Sequence, residues 1–274
     1  MLATDRRFKI LEQVADKQTI HIGELAREFG VSEMTVRRDI RRLERDGFLR
    51  RTYGGATAHL TRSLDLAFNA RALEHAREKR LIGMMAARFL GDVHAVFLGI
   101  GTTCEQVARY LPAEADLTVV TGSLPSASLL GTRPLRVVAL GGTVVRDELS
   151  CVGPEATATL RRHRFDLAIV GAAGVSARAG LTDFTDEDAE ISRLGIEQAA
   201  RVIVVADGSK LGAITMAVVV PANRIDILVT DDAAADDEIK ALRGLGIQVV
   251  IASARNGSTV DDPSIVQLHA ASSS

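Results

Sequence analysis

The chain has 274 residues, enough for about two domains at roughly 150 residues each. Its 47% hydrophobic and 25% charged residues are an ordinary globular composition, which excludes collagen-like, disordered and disulfide-scaffold classes. The net charge of −2 conceals an asymmetry: residues 1–62 carry 13 Lys/Arg against 9 Asp/Glu, while the remainder is acidic. A basic head on an acidic body is expected when only one end meets phosphates. The two cysteines, Cys104 and Cys151, cannot build a disulfide framework. No uncharged run reaches the roughly 18 apolar residues of a membrane span. The N-terminus, with Asp5, Arg6, Arg7 and Lys9, lacks an apolar signal core, so a cytoplasmic protein with no membrane partner is expected.

Asp5–Ala15 reads as a first helix, with Ile10, Leu11 and Val14 on one face. In the next segment Ile22, Leu25, Ala26 and Phe29 fall at i, i+3, i+4 and i+7, and Gly30 stops that helix as a C′ glycine. Ser32 follows as the N-cap of another helix; Thr35 stands where a full capping box has Glu. There Val36, Ile40 and Leu43 make the buried stripe, and Arg37, Arg38, Arg41 and Arg42 cover the opposite face. Two short amphipathic helices joined at Gly30-Val31 are helix-turn-helix geometry, with the second placed to enter the major groove of double-stranded DNA. Phosphate repels Asp39, so its expected partner is an arginine or another local donor.

After Gly47, the run Phe48–Ala56 reads as a strand, a Gly54-Gly55 turn and a return: a wing, with Arg50, Arg51 and Tyr53 available to phosphate. The candidate DNA-contacting residues are Ser32, Glu33, Met34, Thr35, Arg37, Arg38, Arg41, Arg51 and Tyr53. The winged helix-turn-helix is assigned to residues 1–57 and a linker to 58–74. Thr57–Asn69 shows no periodicity, and a helical pattern runs from about Ala70 to Leu90.

The body, residues 75–252, alternates apolar runs with helical stretches. The runs are Ala95–Leu98, Leu117–Val120, Arg136–Leu140, Asp166–Val170, Val202–Ala206, Ile225–Thr230 and Gln248–Ile251. Intervening helices are expected at Glu105–Leu111, Ser123–Leu130, Glu155–His163, Ala189–Ala199 and Ala235–Leu242. This pattern predicts an α/β fold with a parallel sheet covered on both faces. Residues 253–274 are small and polar and are expected to fray.

Ligands of such sheets bind where the carboxyl ends of the strands turn into loops. Here those ends carry Gly101-Thr102-Thr103, Thr121-Gly122-Ser123, Gly141-Gly142-Thr143, Gly171–Gly174 and Asp207-Gly208-Ser209-Lys210. Glycine lets backbone approach an anion, and hydroxyls with free helix-start N–H groups donate to phosphate oxygens. The candidate effector residues are therefore Gly101, Thr102, Thr103, Thr121, Ser123, Gly141, Gly142 and, as counter-charge, Lys210. The spacing is not that of a Walker P-loop.

From Leu25-Ala26 through Phe29-Gly30-Val31-Ser32, Thr35–Ile40 and Gly47-Phe48-Leu49 to Tyr53-Gly54-Gly55-Ala56, the head resembles DeoR-family transcriptional regulators. Glu78-Lys79, Gly101–Thr103, Gly141-Gly142, Val152-Gly153-Pro154, Gly180-Leu181-Thr182, Glu187, Glu190 and Asp207…Lys210 extend the resemblance over the body. It implies an effector domain similar in fold to ribose-5-phosphate isomerase. It also implies a repressor of a carbohydrate catabolic operon, controlled by a phosphorylated sugar or polyol, with Glu187 and Glu190 near the effector. Paired heads require a homo-oligomer, a dimer or tetramer. Three departures from the family pattern, Gly99 for Asp, Gly122 for Asn and Ala173 for Asp, remove polar groups that hold sugar hydroxyls.

Two other readings stand beside this one. An isomerase-like enzyme with a DNA-binding head needs a carboxylate base, and Gly171–Gly174 contains none, although Asp183, Glu187 and Glu190 lie downstream. Redox sensing would use Cys104, which follows Gly101–Thr103 at a helix start, where a thiolate is favoured; the plainer reading is a buried filler. The six histidines show no ligand spacing, so neither metal nor cofactor nor catalytic residue is assigned.

Overall fold

The computed structural model describes residues 6–7, 9–10, 13–14, 19–45, 49–52, 54–58, 66–112 and 116–253. The chain divides into two compact units, residues 1–74 with 146–148, and residues 75–145 with 149–274.

In the first unit, residues 6–7, 9–10 and 13–14 are helical; the rest of the expected first helix lies outside the described residues. β1 (Thr19–His21) leads into the helix Ile22–Phe29, the helix Glu33–Arg45, β2 (Leu49–Arg51), β3 (Gly55–Ala58) and the helix Leu66–Leu73. The three strands form an antiparallel sheet in the order β1-β3-β2. Gly30 ends its helix at φ 64° with its N–H turned back to Ala26 and Arg27, a left-handed conformation that glycine adopts without strain. Two residues later Ser32 Oγ accepts from Thr35 N at 3.2 Å and starts the next helix. The core gathers Ile10, Val14, Leu25, Val36, Ile40, Leu43 and Leu49, all at most 1% exposed. Each such side chain contributes roughly 1.5–3 kcal/mol by leaving water. The strand β1 and the helix Leu66–Leu73, inside the expected linker, are additions to the sequence reading.

The second unit opens with the helix Ala76–Ala86 and contains β4 (Ala95–Leu98), β5 (Thr118–Thr121), β6 (Arg136–Ala139), β7 (Thr143–Val145), β8 (Ser150–Val152), β9 (Phe165–Val170), β10 (Gly174–Ser176), β11 (Gly180–Asp183), β12 (Ala199–Val205), β13 (Ala217–Val220), β14 (Ile227–Asp231) and β15 (Gln248–Ala252). Seven of these strands form one parallel sheet in the order β15-β14-β12-β9-β4-β5-β6. They are the seven apolar runs of the sequence, displaced by at most three residues at either end.

Their continuous apolar character follows from burial on both faces. Phe97, Ala168, Val204 and Leu228 pack into one core layer. Val96, Leu98, Ile169, Ile203 and Val229 pack into the other. Two antiparallel additions escaped the sequence reading: the hairpin β7-β8 and the small sheet β10-β11-β13. Their strands have three or four residues each, too few for a period to register.

Candidate functional site

The exposed face of the helix Glu33–Arg45 is the candidate nucleic-acid interface. Val36, Ile40 and Leu43 face the core, which turns Met34, Arg37, Arg38 and Arg41 to solvent; Met34 is 63% exposed at the leading turn. Arg37 lies 3.4 Å from Glu33, an exposed pair one turn apart that phosphate can displace at little cost. Ser32 and Thr35 are engaged with each other, Oγ to Oγ1 at 2.9 Å, at the helix start. Arg51 on β2 pairs with Glu44 at 2.7 Å, which aims the guanidinium beside the helix. Arg37, Arg41 and Arg51 line one cleft of about 560 Å³ with Ile22, Ile40, Thr52 and Gly55. Tyr53 lies outside the described residues.

Asp39 takes no part in this face. Its carboxylate is bound by Arg6 Nε at 2.6 Å with both side chains 8% exposed, an arginine being one of the two kinds of partner expected from sequence.

The strand order supplies what the second unit's sequence did not. The chain enters the sheet at β4, proceeds outward through β5 and β6, then returns to the other side of β4 with β9 and proceeds through β12, β14 and β15. The topological switch point therefore lies between β4 and β9, where a parallel α/β sheet forms its binding crevice. The loop after β4 carries Gly101 at φ 97°, from which the helix Thr102–Tyr110 starts with Thr102 and Thr103 buried beneath its first turn. The loop after β9 is Gly171–Gly174. Lys210, half-buried, ends the short helical turn Gly208–Lys210 after β12, the next strand along.

With strands about 4.8 Å apart, the loops after β12 and β6 are separated by about 19 Å, too far for one sugar phosphate to touch both. The five loops thus divide. Those after β4, β9 and β12 flank the crevice, while Gly141 and Gly142 stand exposed at the sheet's outer end. Thr121 and Ser123 are fully buried and otherwise employed. Thr121 Oγ1 accepts from Ser123 N at 3.0 Å, and Ser123 Oγ accepts from Ser126 N at 3.2 Å to cap the helix Leu124–Leu130.

Glu187 is exposed in the first turn of the helix Asp186–Glu197, where a carboxylate favours the helix dipole. Glu190 is held by Arg193 at 2.5 Å. Asp188, 1% exposed, accepts from Ser150 Oγ at 2.8 Å and from Thr185 Oγ1 at 2.9 Å, tying that helix to β8.

Two groups went unassigned in the sequence. Asp207, 1% exposed, accepts from Ser209 N and Oγ with one carboxylate oxygen, at 3.2 and 2.5 Å. Its other oxygen is buried with no hydrogen-bond partner among the described residues. Buried acceptors are ordinarily satisfied, so this oxygen marks a place for a donor. Lys79, 4% exposed, is the second; its helix packs on β12, β14 and β15. A charged residue inside an amphipathic pattern gave no signal beyond its place beside Glu78.

At Gly99 an added Cβ would lie 3.1 Å from Val170 Cα and 3.3 Å from Ile169 O; at Gly122 it would lie 3.2 Å from Cys151 O. Both positions have closed around glycine, and Ala173 is buried at 7% exposure. The helix start at Gly101 is as expected, but Cys104 is fully buried and burial pushes its thiol up to about 12, which removes the thiolate that sensing requires.

A family model described as the DeoR C terminal sensor domain matches residues 74–232, and one for the DeoR-like helix-turn-helix domain matches residues 6–61. The chain is 32% identical over 255 residues to the HTH-type transcriptional regulator GlpR of Haloferax volcanii, covering 93% of this chain and 100% of that protein. It is 27% identical to a putative aga operon transcriptional repressor of Escherichia coli O157:H7, over 90% of this chain and 93% of that one. Among solved structures, ribose 5 phosphate isomerase A from Neisseria gonorrhoeae overlaps 51% of this chain and 53% of its own at 17% identity and a TM-score of 0.37.

Proposed function

The chain belongs to the DeoR family of transcriptional regulators, with a helix-turn-helix domain and a sensor domain, and from that premise we propose that it is a repressor whose sensor binds a phosphorylated sugar or polyol at the β4/β9 switch point. The observation that carries the proposal is the glycine-led start of the helix Thr102–Tyr110 at that crevice, with Lys210 one strand beyond β9. Free N–H groups at a helix start and a nearby ammonium are the two means by which a fold holds a phosphate. Closure around Gly99 and Gly122 and the apolar Ala173 leave fewer polar groups for hydroxyls, which supports an effector with few of them, or one seated toward β12.

The DNA-contacting residues in this reading are Ser32–Thr35, Arg37, Arg38, Arg41, Arg51 and Tyr53. The effector residues in this reading are Gly101–Thr103 and Lys210; Thr121 and Ser123 shape the sheet edge without contacting the ligand, and Gly141, Gly142 and Glu187 are left outside the set. The protein acts in the cytoplasm as a dimer or tetramer. Effector binding favours one arrangement of the paired heads, and hence the half-site spacing they can read. The sensor is a switch without catalysis in this reading: Gly171–Gly174 offers no carboxylate base to the crevice.

Fluorescence anisotropy on DNA from upstream of the protein's own gene, titrated with sugar and polyol phosphates at fixed salt, tests the proposal. One phosphate is expected to shift operator affinity at least about tenfold at micromolar concentration, with no shift from its unphosphorylated form. Operator binding that no phosphate alters would overturn the effector assignment.

A further inference from the structure

Taking Arg51 as the phosphate contact assigned above, we infer that Glu44 is its positioning residue: it raises the protein's affinity for DNA by presetting the Arg51 guanidinium, although its own charge opposes phosphate. Glu44 stands in the last turn of the helix Glu33–Arg45, its side chain 35% exposed. Two electrostatic effects disfavour a carboxylate there. The C-terminus is the negative end of the helix dipole, and bound DNA repels a negative charge. A carboxylate that stands against both has its reason in what its two oxygens hold.

Each oxygen holds a different part of Arg51. β2 is the outer strand of the order β1-β3-β2. Thr52 N donates to Gly55 O at 3.1 Å across the hairpin, so the N–H of the preceding residue, Arg51, faces away from β3 and has no strand to bond. Glu44 Oε1 accepts it at 3.1 Å, and Glu44 Oε2 lies 2.7 Å from Arg51 Nε. One carboxylate thereby fixes the main chain and the side chain of Arg51 together.

This pairing takes the Nε side of the guanidinium and leaves the Nη groups of its five-donor fork for a phosphate. No second carboxylate pairs with Arg51 among the described residues. Arg51 lines the same cleft as Arg37 and Arg41, so its remaining donors join theirs. The pair of Arg37 with Glu33 is different in kind. Those side chains meet at 3.4 Å and are 47% and 57% exposed, so a phosphate can take Arg37 from Glu33. Glu44 stays, because it also holds a backbone N–H and because Arg51 can meet phosphate without giving it up.

Arginine suits this double duty, since its planar fork serves a carboxylate and a phosphate at once. The gain lies in order set before DNA arrives. A long side chain that is already held need not be immobilised on binding, which is expected to be worth roughly two- to tenfold in affinity.

Fluorescence anisotropy of the full-length protein on two duplexes of equal length, one from upstream of its own gene and one scrambled, tests this by the sign of the effect. On charge alone, removing a carboxylate beside DNA raises affinity. Glu44→Gln is instead expected to weaken binding roughly two- to tenfold, and by the same factor on both duplexes, since a phosphate contact carries no sequence information. In the Arg51→Ala background the same substitution is expected to raise affinity or leave it unchanged, whereas a residue that only held the fold would weaken binding equally in both backgrounds. Glu44→Asp keeps the charge but is one methylene shorter; it is expected to weaken binding as well, and carries the test if Glu44→Gln fails to fold by circular dichroism. Unchanged or raised affinity in Glu44→Gln, an equal loss in the Arg51→Ala background, or full affinity in Glu44→Asp overturns the inference. An Arg51→Ala protein of full affinity on both duplexes overturns the assignment of Arg51 itself and the inference with it, so the two failures are told apart.

Discussion

The recognition helix and the sensor crevice deploy their polar groups in opposite ways. On the helix Glu33–Arg45, Met34, Arg37, Arg38 and Arg41 stand in solvent, and the ion pairs of Arg37 with Glu33 and of Arg51 on β2 with Glu44 are half-exposed, the first of them exchangeable. At the sheet edge, Thr121, Ser123, Asp188, Asp207 and Thr230 are each at most 1% exposed. The contrast follows from the ligands. DNA presents a broad charged surface that meets many exposed cations, each contributing a modest, salt-screened share. A small molecule must be enclosed, so the groups that contact it share their hydrogen-bonding capacity with the backbone that encloses it. On the proposed reading, affinity for DNA is expected to degrade gradually with substitution and the sensor to fail at single positions.

The largest expected departure from this pattern lies in the head, at the one pair among the described residues that is buried like the sensor's polar groups. Asp39→Ala strands the Arg6 guanidinium in a buried site and is expected to cost about 3–5 kcal/mol in urea unfolding of the full chain, with operator binding lost. A cost below about 1 kcal/mol would show that the pair is not structural.

Next is the crossed pair that separates the two units. Lys210→Ala should weaken the effector response about 10- to 100-fold and leave operator affinity intact. Arg37→Ala should weaken operator binding about tenfold, lower the salt slope by about one, and leave effector affinity intact. If either variant loses both functions together, the two regions are not independent.

The smallest effect concerns Cys104. Its thiol is raised from 9.0 to about 12 in the folded protein, so between those values the folded state keeps a proton that the unfolded state has released. Stability contributed by this group is complete below pH 9 and falls as pH rises, by at most about 1.4 kcal/mol per pH unit. Alkaline unfolding curves of the protein and of Cys104→Ala should diverge only above pH 9. Ellman's reagent at pH 8 should leave the native Cys104 unmodified; rapid labelling would restore the redox reading.

The head was legible almost residue by residue because each of its signals is local. Gly30 and Ser32 stand two positions apart, and the stripe Val36, Ile40, Leu43 repeats within one helix. Even the partner of Asp39 could be inferred by type, since a carboxylate on a phosphate-facing helix needs its own cation. In the body, the seven central strands were legible because burial on both faces leaves unbroken Val/Ile/Leu runs. Their order was not, because parallel neighbours such as Val96 and Leu167 are joined only by tertiary packing. Without that order, all the loops looked equally near one ligand, and the switch point could not be located. Thr121 and Ser123 read as ligand donors in sequence because a hydroxyl after a strand serves a cap and a phosphate equally well. Asp207 carries no such signal, because its unpartnered oxygen is a fact of burial.

The position of β4 inside the sheet, beside the central β9, has a consequence for how the chain is made. β4 is the first strand of the sheet to be synthesised, and β5 and β6 can pair outward from it as they appear. Its other edge waits for β9, 71 residues later at the separation of Ala95 and Asp166. At about 5–20 residues per second that edge stays unpaired on the ribosome for on the order of 4–14 s, a hydrophobic strand open to any neighbouring nascent chain. Assembly of the regulator is thus most exposed to error before the second half of its sensor exists, and slow translation between residues 99 and 164 would lower its yield without changing a single contact in the finished protein.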